Sequence, residues 1–323
     1  MKKWLFILIP PLLFLQCSPV KRSNTIGIYY QRTTPYADRE MIKDLSRTAF
    51  VYNYSLIFQS YEKTPRKRTL ADFSGKGAKI ILLEEHDAQK AAPFYRFCRS
   101  RGIRLTLITS VTTSQADLVL LSDYRKLGSN LARQLYEFSR SKRNVFVLYY
   151  KKDYKRYYYK LKLMEGYHDY FQPSLTLITN LYSGTNYQSV KKDIYQFITL
   201  YGEELRGILT DDDRIAEKTV LALKNVRKEG EIQVSGFGGL LNGINCIIKI
   251  GLCVTGDMNR YALFQTALTN SIQYDPEPEN VPRPRYFLKD GIYYNQINTL
   301  DNLALTRKFS IQQILDTRIP EAR

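Results

Sequence analysis

Residues 205–216, Leu-Arg-Gly-Ile-Leu-Thr-Asp-Asp-Asp-Arg-Ile-Ala, hold the junction on which the reading of the whole chain turns. The first six are a short apolar run of strand length. Asp211, Asp212 and Asp213 follow, and the helical spacing of residues 214–228 begins at once. Carboxylates at such a junction accept from the free N–H groups of a helix's first turn and suit its positive end. The three acids also admit a metal-cluster reading, but the chain has only 2 His, and the cap reading is stronger. One of the three can still reach a ligand. A strand passing straight into a capped helix is half of a βαβ unit.

The alternation extends in both directions. Upstream, strands are expected at 144–150 and 175–180, with helices at 126–139, 160–170 and 189–201. Downstream, 233–237 and 252–255 read as strands and 242–250 as a helix. An earlier block has the same pattern: strands at 26–30, 55–61, 79–83, 104–109 and 117–121, and helices at 36–52, 70–75 and 88–101. Such alternation indicates parallel sheets with right-handed crossovers. Two blocks predict an α/β protein of two doubly wound parallel-sheet lobes. Ligands of these sheets bind beyond the carboxyl ends of the strands, which places a site in the cleft between the lobes. Residues 275–285 (DPEPENVPRPR) read as a Pro-rich connector, 286–299 as extended chain, and 300–323 as a helix or short extension.

Length and composition agree. The chain has 323 residues, 44% hydrophobic and 24% charged, an ordinary globular balance that excludes a disordered or fibrous protein. The net charge of +17 accompanies 26 Tyr. A basic surface of this kind favours anionic partners. Two His and 4 scattered Cys argue against a multi-zinc protein.

The N-terminus narrows the choice. Met1-Lys2-Lys3 is a positive start, and residues 4–15 are apolar but interrupted by Pro10-Pro11. A membrane span needs about 20 apolar residues, so residues 1–16 read as an export signal. Cys17 directly after it resembles the lipidated Cys of a bacterial lipoprotein signal, although Gln16 stands where a small residue is usual; an uncleaved anchor, or a plain signal with an incidental Cys, is the weaker alternative. Stable anchoring takes about two acyl chains, which a lipidated N-terminal Cys supplies. Residues 17–25 are then a lipidated tether, and the protein faces the periplasm or exterior on a membrane. Export excludes nucleic acid as a partner despite the charge. Cys98, Cys246 and Cys253 each lie in an apolar run and read as buried thiols. A Cys246–Cys253 bridge is an open alternative that the spacing does not indicate.

From Ile26 to about Ile297 the chain resembles the type I periplasmic solute-binding proteins of the ribose/galactose-binding class. Ile26-Gly27-Ile28 followed by Thr34-Pro35-Tyr36 is similar to that family's first strand and its Asn-Pro-Phe loop. Ser122-Asp123-Tyr124 with Gly128, Glu165-Gly166-Tyr167, Gly207 to Ala216, and Val234-Ser235-Gly236-Phe237 resemble four further segments, in the family's order. The resemblance implies two lobes joined by a three-strand hinge. It divides the chain into an N-terminal lobe of 26–121 plus 257–285 and a C-terminal lobe of 122–256 plus 286–323. It implies ligand contacts at Arg32, Thr34, Tyr36, Ser110, Asp212, Gly238 and Gly256, no catalysis, no cofactor and no metal.

The departures restrict what can be inherited. Sugar hydroxyls are gripped by bidentate polar groups. The family's Asp-Arg after the fourth strand is Ser110-Val111 here, its Asp after Gly-Phe is Gly238, and its Gln near the third crossing is Gly256. Tyr36 and Asp212 alone keep clear aptitude for a sugar, as a stacking face and an acceptor. Fold therefore transfers better than substrate.

Residues 140–162 (RSKRNVFVLYYKKDYKRYYYKLK) hold nine Lys/Arg, six Tyr and one acid. By the family pattern, 151–159 is the loop after the second lobe's first strand, bordering the cleft. Tyr154, Lys155 and Arg156 would supply counter-charge and a stacking face to an anionic ligand, with Arg32 opposite. A solvated basic loop or a surface facing anionic lipid is an equal alternative. Glu84-Glu85-His86-Asp87 admits a metal reading and a helix-cap reading, the cap being stronger. His168 reads as structural. Gly236-Phe237-Gly238-Gly239 lacks the spacing of a phosphate-binding loop, and no nucleophile–base arrangement stands out, so an enzyme is disfavoured. The expected function is a lipid-anchored solute-binding protein delivering a small polar ligand, a sugar or a phosphorylated or otherwise anionic relative of one, to an ABC permease. The alternative is a non-transport accessory of the same fold that serves a membrane sensor.

Overall fold

The computed structural model describes residues 24–33, 35–62, 65–109, 116–139, 145–151, 158–171, 176–249, 251–274, 285–290, 292–295 and the single residues 302, 309 and 313. The expectations for the signal and tether, for Cys17, Thr34, Ser110, Val111, Tyr154, Lys155 and Arg156, and for most of 300–323 fall outside them.

The first sheet is built from β1 (Asn24–Tyr30), β2 (Tyr54–Ser60), β3 (Ala78–Glu84), β4 (Arg104–Thr109), β5 (Leu118–Asp123) and β11 (Arg285–Asp290), in the order β11-β5-β4-β3-β1-β2. The second contains β6 (Val145–Tyr150), β7 (Thr176–Leu181), β8 (Leu205–Thr210), β9 (Gln233–Phe237), β10 (Val254–Asp257) and β12 (Ile292–Asn295), in the order β12-β10-β9-β8-β6-β7. The five main strands follow one permutation in both sheets, and every pairing is parallel except β10 with β12. The central strands β3, β4, β5 and β6 are almost wholly buried. That is why their sequences read as continuous apolar runs and not as alternating ones.

Helices cover both faces of each sheet. α1 (Pro35–Val51) and α9 (Arg260–Gln273) enclose one face of the first sheet with Ile26, Ile28, Met41, Leu45 and Phe264. α2 (Arg66–Gly75) and α3 (Ala88–Ser100) cover the other with Phe73, Phe94 and Cys98. On the second sheet, α4 (Tyr124–Ser139) and α5 (Tyr158–Phe171) share one core. α6 (Tyr187–Tyr201), α7 (Asp213–Asn225) and α8 (Leu241–Lys249) share the other. The caps are local: Asp87 accepts from Gln89 and Lys90, Asn186 from Ser189, and Asp212 from Arg214. The expected strand–cap–helix reading of residues 205–228 holds, with the helix ending at Asn225.

The three crossings between lobes lie after Asp123, at Met258-Asn259 and between Asp290 and Ile292. Asp257 therefore ends a strand of the second sheet instead of opening the first lobe's share. Residues 286–290 belong to the first sheet, where Tyr286, Phe287 and Leu288 pair with Val119, Leu120 and Leu121. The Pro-rich connector leads back to that sheet, and the last crossing comes after it.

Candidate functional site

A cavity of about 590 Å³ lies between the lobes, at the carboxyl ends of the strands. The first lobe contributes Thr33 from the turn after β1, and Ala37 and Met41 from α1. Ala37 and Met41 are four residues apart and so share one helix face. The second lobe contributes Arg214, Gly238, Leu240, Leu241 and Asn242, and Phe309 of its core. Asp257, Met258, Arg260 and Tyr261 come from the second crossing. Tyr261 donates from its hydroxyl to the Asp44 Oδ2 at 2.6 Å, which fixes the ring in the wall.

On the first-lobe side, Arg260 grips Glu84, the last residue of β3. Nε donates to Oε1 at 2.5 Å and an Nη to Oε2 at 2.6 Å, while the same Nη donates to the Gln31 carbonyl at 2.6 Å. Gln31 N–H in turn donates to Glu84 Oε2 at 2.8 Å. The guanidinium also lies over the rings of Phe264 at 4.9 Å and Tyr30 at 5.8 Å. Burial alone would raise the Glu84 carboxyl, but the forked Arg260 outweighs it and holds the group below the usual carboxylate value. Burial pushes the neighbouring His86 down, and Glu84 and Glu85 only partly offset this. Arg260 thus faces the cavity with its charge already matched.

On the second-lobe side, Asp213 is fully buried. Thr255 Oγ1 donates to it at 2.5 Å and the Leu240 N–H at 2.6 Å. Gly236 and Gly243 make room for it, since a Cβ on either would stand 2.2 or 2.5 Å from the carboxylate. Gly238, at φ +128°, carries the chain across to Leu240 in a conformation that favours glycine. Asn242 donates to Glu217 at 2.9 Å. Asp211, just beyond β8, is almost fully buried and takes 2.8 Å from Lys160 of α5. Burial raises its carboxyl and Asp212 adds to that, with Lys160 only partly offsetting them.

These placements revise the residue expectations. Gly238 lines the cavity. Asp212 is the cap of α7 and does not line it; its neighbour Arg214 does. Gly256 turns its side toward Leu131 and Leu127 of α4, so the group that reaches the cavity is Asp257, one residue on. Period-two alternation makes that exchange inevitable once the register moves by one. Tyr36 is half-exposed and outside the lining, and the aromatic wall is Tyr261. Arg32 lines a different hollow, of about 520 Å³ between α1 and β2, and lies 3.5 Å from Asp38. Reasoning from the sequence missed Met41, Leu240, Met258, Arg260 and Phe309. An i, i+4 count along 37–41 could have found the α1 face, but Phe309 had no local signal.

Cys98, Cys246 and Cys253 are free and buried, which settles the second-lobe pair as thiols. Burial pushes Cys98 and Cys253 up to about 12. Among the described residues, no group of three or more His, Cys, Asp or Glu could hold a metal ion, and no helix is long and apolar enough to cross a membrane.

No family model and no curated protein matches the chain. Solved structures do. The periplasmic ribose ABC transporter protein of Conexibacter woesei superposes with a TM-score of 0.67 at 12% identity, covering 87% of this chain and 94% of that one. A sugar-binding protein of a sugar ABC transporter from Bacillus halodurans gives 0.66 at 16% identity, covering 85% and 98%. A solute-binding protein from the same organism, with bound myo-inositol, gives 0.61 at 13%, covering 88% and 98%. The chain has the fold of the type I periplasmic binding proteins.

Proposed function

From that fold and its cavity we propose that the chain is an extracytoplasmic solute-binding protein that encloses a small ligand between its lobes. The observation that carries this is the cavity of about 590 Å³ walled by both lobes at the strand ends. Small-molecule sites measure roughly 300–1,000 Å³ and are mostly apolar with a few polar groups. Two structural neighbours were crystallised with D-allose and myo-inositol, which supports a polyol-sized ligand. The described wall favours an uncharged one. Glu84 matches Arg260, and Asp257 and Arg214 bring one charge of each sign to the lining. Thr33, Asn242 and Asp257 offer hydrogen bonds, while Met41, Leu240, Met258 and Tyr261 suit an apolar face. A hexose with few free hydroxyls, such as a deoxysugar, fits that balance better than glucose, ribose or galactose. An anionic ligand would depend on Lys155 and Arg156, outside the described residues. We further propose anchoring by acyl chains on Cys17 and delivery to an ABC importer. A sensor role is the second reading, favoured by the absence of a side chain at Gly238 in the cavity wall.

The test is a thermal-shift screen of the processed chain against neutral sugars, deoxysugars, cyclitols and sugar phosphates, followed by calorimetry. A ligand that binds only the native state raises the melting temperature. Ala37→Trp, which fills the cavity from α1, should weaken the best hit at least 10-fold while the ligand-free melt stays put. A screen with no hit, or a hit that Ala37→Trp leaves unchanged, would sink the reading.

A further inference from the structure

We infer that the end of the first lobe opposite the cleft rests on an anionic lipid surface, with Phe50, Val51 and Tyr52 as the inserted group. The three form the close of α1 and the turn after it, and they are 61%, 75% and 39% exposed. Three consecutive large apolar side chains in solvent are unusual for a charged, well-packed domain, where such patches mark interaction sites. Their position says what covers them. β1 and β2 pair in register from Asn24 against Tyr54, so the tip stands beside the point where the chain enters the fold. Residues 17–23 precede that point, and seven residues reach at most about 25 Å. If Cys17 carries acyl chains, as proposed above, this end of the molecule cannot leave the bilayer surface by more than that.

Charge points the same way. The parallel register brings the other helix-to-strand turns of the lobe to this end: Ala78 is level with Thr25, and Arg104 with Ile80. They carry Lys76 and Arg101, with Lys79 and Arg99 next to them, all four exposed. Arg47, 69% exposed, sits one turn before the tip on the same side of α1. Among the described residues at this end the acids are fewer: Asp44 lies 3.5 Å from Arg47, Asp72 is paired with Lys76 at 3.1 Å, and Asp117 accepts from the Leu105 N–H. Cations around an apolar and aromatic tip are the pattern of interfacial binding, in which tyrosine sits at the headgroup level. The second lobe's corresponding end is mixed in charge: exposed Leu200 is followed by Glu203 and Glu204, and the turn before β9 carries Arg227 and Lys228 with Glu229 and Glu231.

The chain has a single Trp, at position 4, so a reporter can be placed cleanly. The full-length chain carrying Trp4→Phe and Val51→Trp is reconstituted in phosphatidylcholine vesicles with 30% phosphatidylglycerol and brominated acyl chains. Flotation and the acyl mass on Cys17 are read separately. We expect Trp at position 51 to be blue-shifted and quenched at least twofold, less so at 0.5 M salt or with Arg47→Gln and Arg101→Gln, and Leu200→Trp to be unquenched. Quenching without an acyl group on Cys17 would sustain this inference and defeat the anchor. A floating chain with unquenched Trp at 51 would overturn this inference alone. A chain that does not float would overturn both.

Discussion

The two lobes place a carboxylate–cation pair at the same point of the same topology and use it differently. Glu84 ends β3 and Asp211 follows β8, and each strand is fourth in the order of its sheet. In the first lobe the cation is a guanidinium, forked onto both oxygens and seated on two rings. In the second it is one ammonium at 2.8 Å, on a carboxylate with a second acid beside it. A planar fork satisfies two oxygens at once and is weakly hydrated, whereas an ammonium is a point charge that gives up more water when buried. The result is opposite signs. Burial is outweighed at Glu84, whose carboxyl is held low, and prevails at Asp211, whose carboxyl is pushed up. Burial depth does not set a carboxylate's behaviour here; the geometry of its partner does.

The largest break in that comparison should come from Glu84→Gln. It leaves Arg260 buried without its counter-charge, which costs about 3–5 kcal/mol in comparable buried pairs. Denaturant unfolding measures it, and a loss below about 1 kcal/mol would mean that Gln31 and the aromatic rings hold Arg260 unaided.

If the second lobe does not depend on its ion pair, its cleft wall must be stiffened otherwise. α4 and α5 meet backbone to backbone at Gly128 and Gly166, where added Cβ atoms would stand 2.2 Å from the Leu163 carbonyl and 2.0 Å from the Arg125 carbonyl. Gly128→Ala should therefore destabilise by about 1–3 kcal/mol, the usual cost of overpacking, despite alanine's better helix propensity. A neutral result would show that the helices separate freely.

The smallest effect, and the sharpest, is in pH. Glu84 is held below its ordinary value near 4.5. Its contribution is complete above that pH and is lost as pH falls through the lower folded value. Asp211 is raised above 3.8, so its ionisation opposes folding, and stability declines as pH climbs from 3.8 through the raised value. Asp211→Asn should remove that decline, and because it relieves a carboxylate whose charge burial opposes, its net cost at pH 7 should be smaller than that of Glu84→Gln even though Lys160 loses its counter-charge. A destabilisation as large as that of Glu84→Gln would erase the distinction between the lobes.

Much of the architecture was legible beforehand. The buried strands announced themselves as apolar runs, and the acidic runs ending at Asp87 and around Asp212 marked helix starts that the structure keeps. The last crossing was misjudged, because prolines mark a turn without saying which sheet receives the chain afterwards. The site was less legible. Tyr36, Asp212 and Gly256 each lie within about one turn of a lining residue (Ala37, Arg214 and Asp257) but on another face. A motif fixes the neighbourhood, and the side that points into the cavity depends on rotation about a helix or strand.

What the sequence alone determined was local: the period of each segment, the caps, and through them two doubly wound lobes with a cleft at the strand ends. These follow from backbone sterics and apolar patterning within a dozen residues. What only the tertiary structure decided was which groups meet across long separations. Glu84 finds Arg260, 176 residues away, and Asp211 finds Lys160, 51 away. Phe309 joins a wall begun at Thr33. Charge matching, desolvation and cavity shape depend on distances of a few ångströms between remote segments, and those distances exist only once the chain has packed.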